Sequence, residues 1–245
     1  MKYGVQLYSV RDSVKSAGMK ETLCRVARIG YQSVEFAGFG DASAEEVRAW
    51  LDELGLSVDG AHISIKELEP DTIEQTVQNM KTIGSPRIII PSARLKTAEE
   101  IEIFLQGVAF ASPILAREGM SLGFHNHDTE YLPNEDSIVP MDVLKEKTNL
   151  FFELDTYWAY HAGVDPVAEM ERMGDRLHLI HIKDGDPTLG KDGGKPLGMG
   201  TAPVAAVYRK ALERALPMVV ESETLNPDGM TEITKCFEYL KAQEH

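Results

Sequence analysis

The sequence predicts a closed (β/α)8 TIM barrel forming a single domain over residues 1–245, and three observations predict it. The chain of 245 residues has the length of one such barrel. Short apolar, β-rich runs alternate with helical patterns eight times, which demands a parallel sheet with crossover helices. The rival architecture, an open doubly wound sheet, usually carries a glycine-rich phosphate loop after its first strand. Here that segment reads Tyr8-Ser9-Val10-Arg11-Asp12, without glycine.

The first strand is expected at 4–8. A recurring junction, in which a helical stretch ends in glycine or a short turn, introduces the rest. Gly30 precedes 32–36, Gly55 precedes 57–63, Gly84 precedes 87–90 and Gly119 precedes 121–124. Thr148-Asn149 precedes 150–154, Gly174 precedes 177–182 and Pro217 precedes 219–220. Glycine suits the position after a helix because it enters the left-handed region without a Cβ clash. The runs are almost continuously apolar, as strands covered on both faces must be. Helices are expected near 19–29, 43–54, 70–83, 97–118, 138–147, 165–173, 203–214 and 230–242. Asp41 or Ser43, Asp71, Thr97 and Asp165 supply start signals. The longest irregular stretch, 184–201, follows the seventh strand and is expected on the catalytic rim, where it could act as a lid.

Bulk properties narrow the function classes. A formal net charge of −14 repels a phosphodiester backbone, which argues against nucleic-acid binding. No apolar run approaches the ~20 residues that span a bilayer. Cys24 and Cys236 fall in helical patterns and read as reduced structural thiols, which fits a cytoplasmic protein. The N-terminal segment reads as a strand, not a signal peptide. No coiled-coil stripe specifies an interface, and a homo-oligomer stays open.

Active sites of this fold are built from the C-terminal strand ends. Ionisable residues gather there: Glu35, His62, His125 and His127 with Glu130, Glu153 and Asp155, His181 and Lys183, Glu221 and Glu223. A lone histidine at a strand end is usually structural, and a lone carboxylate usually caps the next helix. So many at one rim would repel one another unless compensated, and a divalent cation is the simplest compensator. Mixed carboxylate and imidazole donors suit Mn²⁺, Co²⁺, Zn²⁺ or Fe²⁺ better than Mg²⁺.

Strand periodicity sorts these groups. His125 and His127 share a face, as do Glu153 and Asp155, His181 and Lys183, and Glu221 and Glu223. Glu153 lies about 6–7 Å below Asp155 and reads as a buried support. Glu223 belongs either to the site or to the start of the next helix. His178 has the opposite parity to His181 and is expected to face the helices. His161 and His245 read as loop and tail residues. Tyr157 and Trp158 read as rim packing, with a platform for an apolar sugar face as the functional alternative.

The chain resembles the sugar phosphate isomerase/epimerase family of xylose isomerase-like TIM barrels. The resemblance rests on 4–12 (GVQLYSVRD), on Phe124-His125-Asn126-His127 with Glu130-Tyr131, and on Leu154-Asp155-Thr156-Tyr157-Trp158. Residues 162–166, His181-Ile182-Lys183-Asp184, 196–200 and Val219-Val220-Glu221 support it. It implies one divalent metal bound by carboxylates on strands 5, 6 and 8 and a histidine on strand 7. Asp155, His181 and Glu221 match three of these positions. Strand 5 carries His125 where many relatives have Glu, so His125, or Glu130 folding back, is the expected fourth ligand.

The resemblance also implies chemistry on a small sugar, keto-sugar or sugar phosphate through an enediolate. Glu221 is the expected base, with His127, Glu130 and Lys183 as further proton-transfer candidates. Glu35, His62, Tyr157 and Trp158 are expected to hold the substrate. Isomerisation or epimerisation is the leading expectation. A lyase acting on a keto-inositol or keto-sugar is the alternative, and a non-catalytic sugar-binding barrel is a third.

Overall fold

The computed structural model describes residues 1–244 and, at Lys191, the backbone only. His245, expected in the tail, lies outside the described residues. The barrel strands are β1 (Gly4–Gln6), β2 (Ser33–Phe36), β3 (Ser57–His62), β4 (Arg87–Ile90), β5 (Ser121–His125), β6 (Phe151–Asp155), β7 (Leu177–Ile182) and β10 (Met218–Val220). They close in the order β1-β10-β7-β6-β5-β4-β3-β2, every pair parallel. A two-stranded hairpin, β8 (Asp184–Gly185) with β9 (Gly194–Lys195), stands on the rim after β7. Helices α1 (Arg11–Ile29), α2 (Ala44–Leu54), α3 (Ile73–Ile83), α4 (Ala98–Arg117), α5 (Pro140–Lys147), α6 (Thr156–His161), α7 (Pro166–Met173), α8 (Val204–Glu213) and α9 (Gly229–Ala242) complete the chain. No helix among the described residues is long and apolar enough to cross a membrane.

The expected (β/α)8 architecture is present, with local departures that have physical causes. β1 stops at Gln6, whose side chain accepts the Tyr8 N–H and turns the chain into a 3-10 segment, Leu7–Val10. α1 starts at Arg11 instead of 19. Gly18 breaks its regularity at φ 84°, so the apolar periodicity is legible only after the kink. The short α6 has too few residues to show a period; the Asp155 side chain caps it by accepting the Trp158 N–H at 2.8 Å.

Two β-bulges reset side-chain parity. Between β2 and β3, Val34 pairs with Val58 and Glu35 with Gly60, leaving Asp59 as the extra residue. Between β6 and β7, Phe152 pairs with Leu177 and Glu153 with Leu179, leaving His178 extra. This corrects the expectation for His178. It does not face the helices but stacks on Phe151, ring centroids 4.5 Å apart. Phe151 belongs to a small apolar cluster with Ile89, Leu179 and Val219, separate from the main core under the helices.

The Asp59 bulge has a measurable consequence. Burial pushes its carboxyl up to about 6, against the lowering pull of the Ser33 hydroxyl and Lys2. The folded state therefore holds the Asp59 proton more tightly than the unfolded chain. Stability from this group is complete below the ordinary value of 3.8 and is lost as pH rises through about 6. Asp59→Asn is expected to gain about 2–3 kcal/mol over the parent at pH 8 and little at pH 4. Urea melts at the two pH values check this, and an equal effect at both would refute it.

Candidate metal centre

The C-terminal mouth of the barrel carries two stacked tiers of ionisable side chains that share His181. The upper tier is His125, Asp155, His181 and Glu221, each offering one donor atom, all within 4.8 Å of one another. The lower tier is Glu35, His62, Glu153 and His181, within the same limit. Every member except His62 is classed as buried, and the His62 side chain is only 8% exposed.

The donor set of the upper tier suits a divalent transition metal. Two of its atoms, His125 Nε2 and Asp155 Oδ2, are buried without a hydrogen-bond partner. A buried polar atom without a partner is costly, and a cation between these atoms removes the cost. The second oxygen of Asp155 is spent on the α6 cap, which aims Oδ2 at the cluster. His125 Nδ1 lies 3.2 Å from the Pro91 carbonyl, so a proton there leaves Nε2 free as a ligand. His181 Nδ1 faces Glu221 at 3.2 Å, while Nε2 lies 2.8 Å from Glu35 Oε1.

The lower tier thus orients the upper one. With its Nε2–H donated to Glu35, His181 presents Nδ1 to the metal position, the carboxylate–histidine support common beneath metal ions. Gln6 Nε2 donates to the same Glu35 oxygen at 2.6 Å, and His62 Nε2 lies 2.7 Å from Glu153 Oε2. Burial raises the Glu35 carboxyl, but His62 and His181 outweigh it and hold the group well below the carboxylate range. Burial lowers His62, yet Glu35 and Glu153 carry it up to about 10. Glu35→Gln removes the charge that holds His181. It is expected to weaken metal binding about 10–100-fold while the fold persists. Calorimetric titration with Mn²⁺ reads this, and an unchanged affinity would assign Glu35 to packing alone.

Lys183 lies over the upper tier. Its Nζ is 3.1 Å from Glu221 and 3.5 Å from Asp155, pairs with Glu223, and sits 5.0 Å from the Trp158 ring centroid. Burial would lower its pKa, but Asp155, Glu221 and Glu223 more than reverse this and keep it protonated. Burial raises Glu221, and Lys183 with His181 and His125 pulls it well below the usual range, so it is ionised. Burial and the neighbouring His125 lower His127 to about 3, so its imidazole is neutral; its ring packs 5.7 Å from Trp158.

A cleft of about 500 Å³ opens above these groups, lined among others by Tyr8, His62, His125, His127, Glu221 and Glu223. Other expected site residues lie elsewhere. Glu35, expected at substrate hydroxyls, is fully buried beneath His181. Glu130 is not among the converging donor atoms; its carboxylate accepts the His127 N–H at 2.8 Å and secures the loop after β5. Tyr157 is 1% exposed and packs under the hairpin, against Gly185 and Gly193. Gln6 and Asp184 were not singled out from the sequence; the inward parity of β1 was the available signal for Gln6.

Comparison with known proteins agrees with this fold. Residues 23–243 match the family model described as xylose isomerase-like TIM barrel. Among solved structures, a sugar phosphate isomerase/epimerase from Parabacteroides distasonis ATCC 8503 superposes with a TM-score of 0.83 at 20% identity, covering 97% of this chain and 96% of that one. The probable 3-DHS dehydratase AsbF from Bacillus anthracis gives 0.78 at 15% identity, covering 98% and 99%. At such identities these likenesses speak for the fold. The inosose dehydratase of Geobacillus kaustophilus (strain HTA426) is 21% identical over 203 residues, 71% of this chain and 66% of that protein. The chain therefore spans just under two thirds of that relative's length. The match of the family model over residues 23–243 makes this chain a member of the xylose isomerase-like TIM barrel family.

Proposed function

We propose that this protein is a metal-dependent isomerase or epimerase of a small sugar-like substrate. The observation that carries the reading is the convergence of His125, Asp155, His181 and Glu221, two of them with orphaned buried donor atoms, beside an open cleft. Mn²⁺, Co²⁺, Zn²⁺ or Fe²⁺ suits this donor set better than Mg²⁺. A divalent cation held by His125, Asp155, His181 and Glu221 would polarise a substrate carbonyl and so acidify the C–H on the carbon next to it.

The chain's own residues do the rest. Glu221, ionised and at the floor of the cleft, accepts the proton from that carbon. Lys183, protonated beside it, offsets by its charge the negative charge that the substrate oxygen gains. His62 and His127 border the cleft and bond substrate hydroxyls. Trp158 packs beside His127 and shields the site from water. Return of the proton to the neighbouring carbon isomerises the substrate, and return to the opposite face epimerises it.

A lyase is the second reading, favoured by the match to an inosose dehydratase. It shares the first step and differs in losing a β-hydroxyl afterwards. An unsaturated product absorbing in the ultraviolet separates it from an isomerase.

The test is proton exchange into keto-sugars in deuterated water, with the Mn²⁺-loaded parent beside Glu221→Gln. The parent is expected to exchange the proton next to the carbonyl, and the variant to slow about 10²–10⁴-fold. Full exchange by the variant would remove Glu221 from the role of base. No exchange with any keto-sugar, despite bound metal, would leave a sugar-binding barrel as the better reading.

A further inference from the structure

Resting on the sugar-like reading above, we infer that the substrate is an uncharged keto-polyol without a phosphate group, because internal carboxylates already occupy the anion-binding positions of this barrel. Phosphate sites in (β/α)8 barrels are typically made by the loops after the seventh and eighth strands, using backbone N–H groups and a helix N-terminus. In this chain eight such donors are taken by the chain's own carboxylates.

After β7, the buried Asp184 carboxylate accepts the N–H groups of Gly185 at 2.7 Å, Gly198 at 2.8 Å, Gly200 at 3.0 Å and Ala202 at 3.1 Å. Four backbone donors converging on one group is the geometry of an oxyanion site. Here the anion is part of the chain. Gly200 is required, since a Cβ there would come within 2.3 Å of Asp184 Oδ1.

The loop after β10 repeats the arrangement. Fully buried Glu232 accepts the N–H groups of Leu225 and Asn226, both at 3.1 Å, and the hydroxyls of Ser222 and Thr224. At the start of α9, the Gly229 N–H goes to Asp12 at 3.2 Å and the Thr231 N–H to Asp228 at 2.8 Å. Two of the first-turn N–H groups of α9 are therefore already paired with carboxylates of the chain.

The cleft points the same way by an independent observation. Its described lining carries Glu67, Glu221 and Glu223 and neither Lys nor Arg, and its one raised imidazole, His62, is paired with Glu35 and Glu153. Lys183 beneath it is engaged by Asp155, Glu221 and Glu223. Arg11, on the Tyr8 side, donates to the carbonyls of Tyr8 and Glu223. The hollow outside the strand-8 loop sets Lys195 and Lys235 against Asp192 and Glu232, so it holds no cationic excess. A phosphate ester would bring two negative charges to a mouth already negative, without a donor set to receive them.

The test titrates the Mn²⁺-loaded protein with matched pairs, D-fructose against fructose 1-phosphate and fructose 6-phosphate, and a keto-inositol against its phosphate. The neutral member of a pair is expected to bind at least tenfold tighter than its ester. An ester that binds as tightly or more tightly overturns the inference and leaves the sugar reading standing. Binding of no member of any pair overturns the sugar reading, and the inference with it.

A second arm, without added metal, reads thermal stability in inorganic phosphate against chloride at equal ionic strength. The parent is expected to gain nothing specific. Glu232→Ala is expected to melt lower and to recover in phosphate, which replaces the missing carboxylate. If Glu232→Ala does not fold, Asp184→Ala is read in the same way. A parent stabilised by phosphate as strongly as the variant would mean that the loop donors are available, and the inference fails.

Discussion

Replacing Asp155 and His181 together by alanine will abolish metal binding while the barrel persists. The parent is expected to hold about one divalent ion per chain, as a single four-donor site does. The variant loses half of the four donors of the upper tier, including the one imidazole that Glu35 orients. Elemental analysis of parent and variant after incubation with Mn²⁺ and gel filtration reads the result. A second readout is thermal. Metal at 100 times its dissociation constant should stabilise the parent by about 2.7 kcal/mol and the variant by nothing. Circular dichroism separates metal loss from unfolding. The Asp155 cap of α6 is removed too, so a small melting-point drop without metal is expected from that source. If the variant keeps its metal, the upper tier is not the metal site.

That lower tier marks the limit of what the sequence discloses. The barrel itself was legible because glycine-closed helices and apolar runs alternate all along the chain, and each signal is local. The rim was legible for a related reason: the strand ends and their period-2 alternation place Asp155, His181, Lys183 and Glu221 together by arithmetic. Depth was less legible. Glu35 and His62 also stand at strand ends, yet Glu35 is completely buried, paired with His181 beneath the candidate metal position. His178 departs from its expected face because one extra residue at the β6–β7 bulge reverses side-chain parity. Glu130 and Asp184 carry no signal that distinguishes a carboxylate accepting backbone N–H groups from one facing a ligand. Such roles are fixed by loop conformation, which a single sequence does not encode locally.

The charge balance of the rim gives the second large effect, through Lys183. Its ammonium is 1% exposed and compensates Asp155, Glu221 and Glu223 at once. Lys183→Met keeps most of the aliphatic volume and removes the cation. Leaving buried carboxylates without their partner typically costs about 3–5 kcal/mol. In metal-free protein that corresponds to a melting temperature lower by on the order of 10 °C. The loss should depend on pH with a definite sign. In the parent, Asp155 and Glu221 are held below their ordinary values, so they contribute stability above those values that is lost on acidification. Without Lys183 the burial that raises both groups is less opposed, and their ionisation at neutral pH becomes a cost. The gap between parent and variant should therefore be wider at pH 8 than at pH 5. Mn²⁺ should narrow it, because a cation bound to Asp155 and Glu221 supplies the positive charge that the lysine had supplied. Thermal melts of both proteins at the two pH values, with and without Mn²⁺, read all three effects. A gap that stays constant across pH and metal would mean that Lys183 contributes by packing, and the electrostatic account of the rim would have to be abandoned.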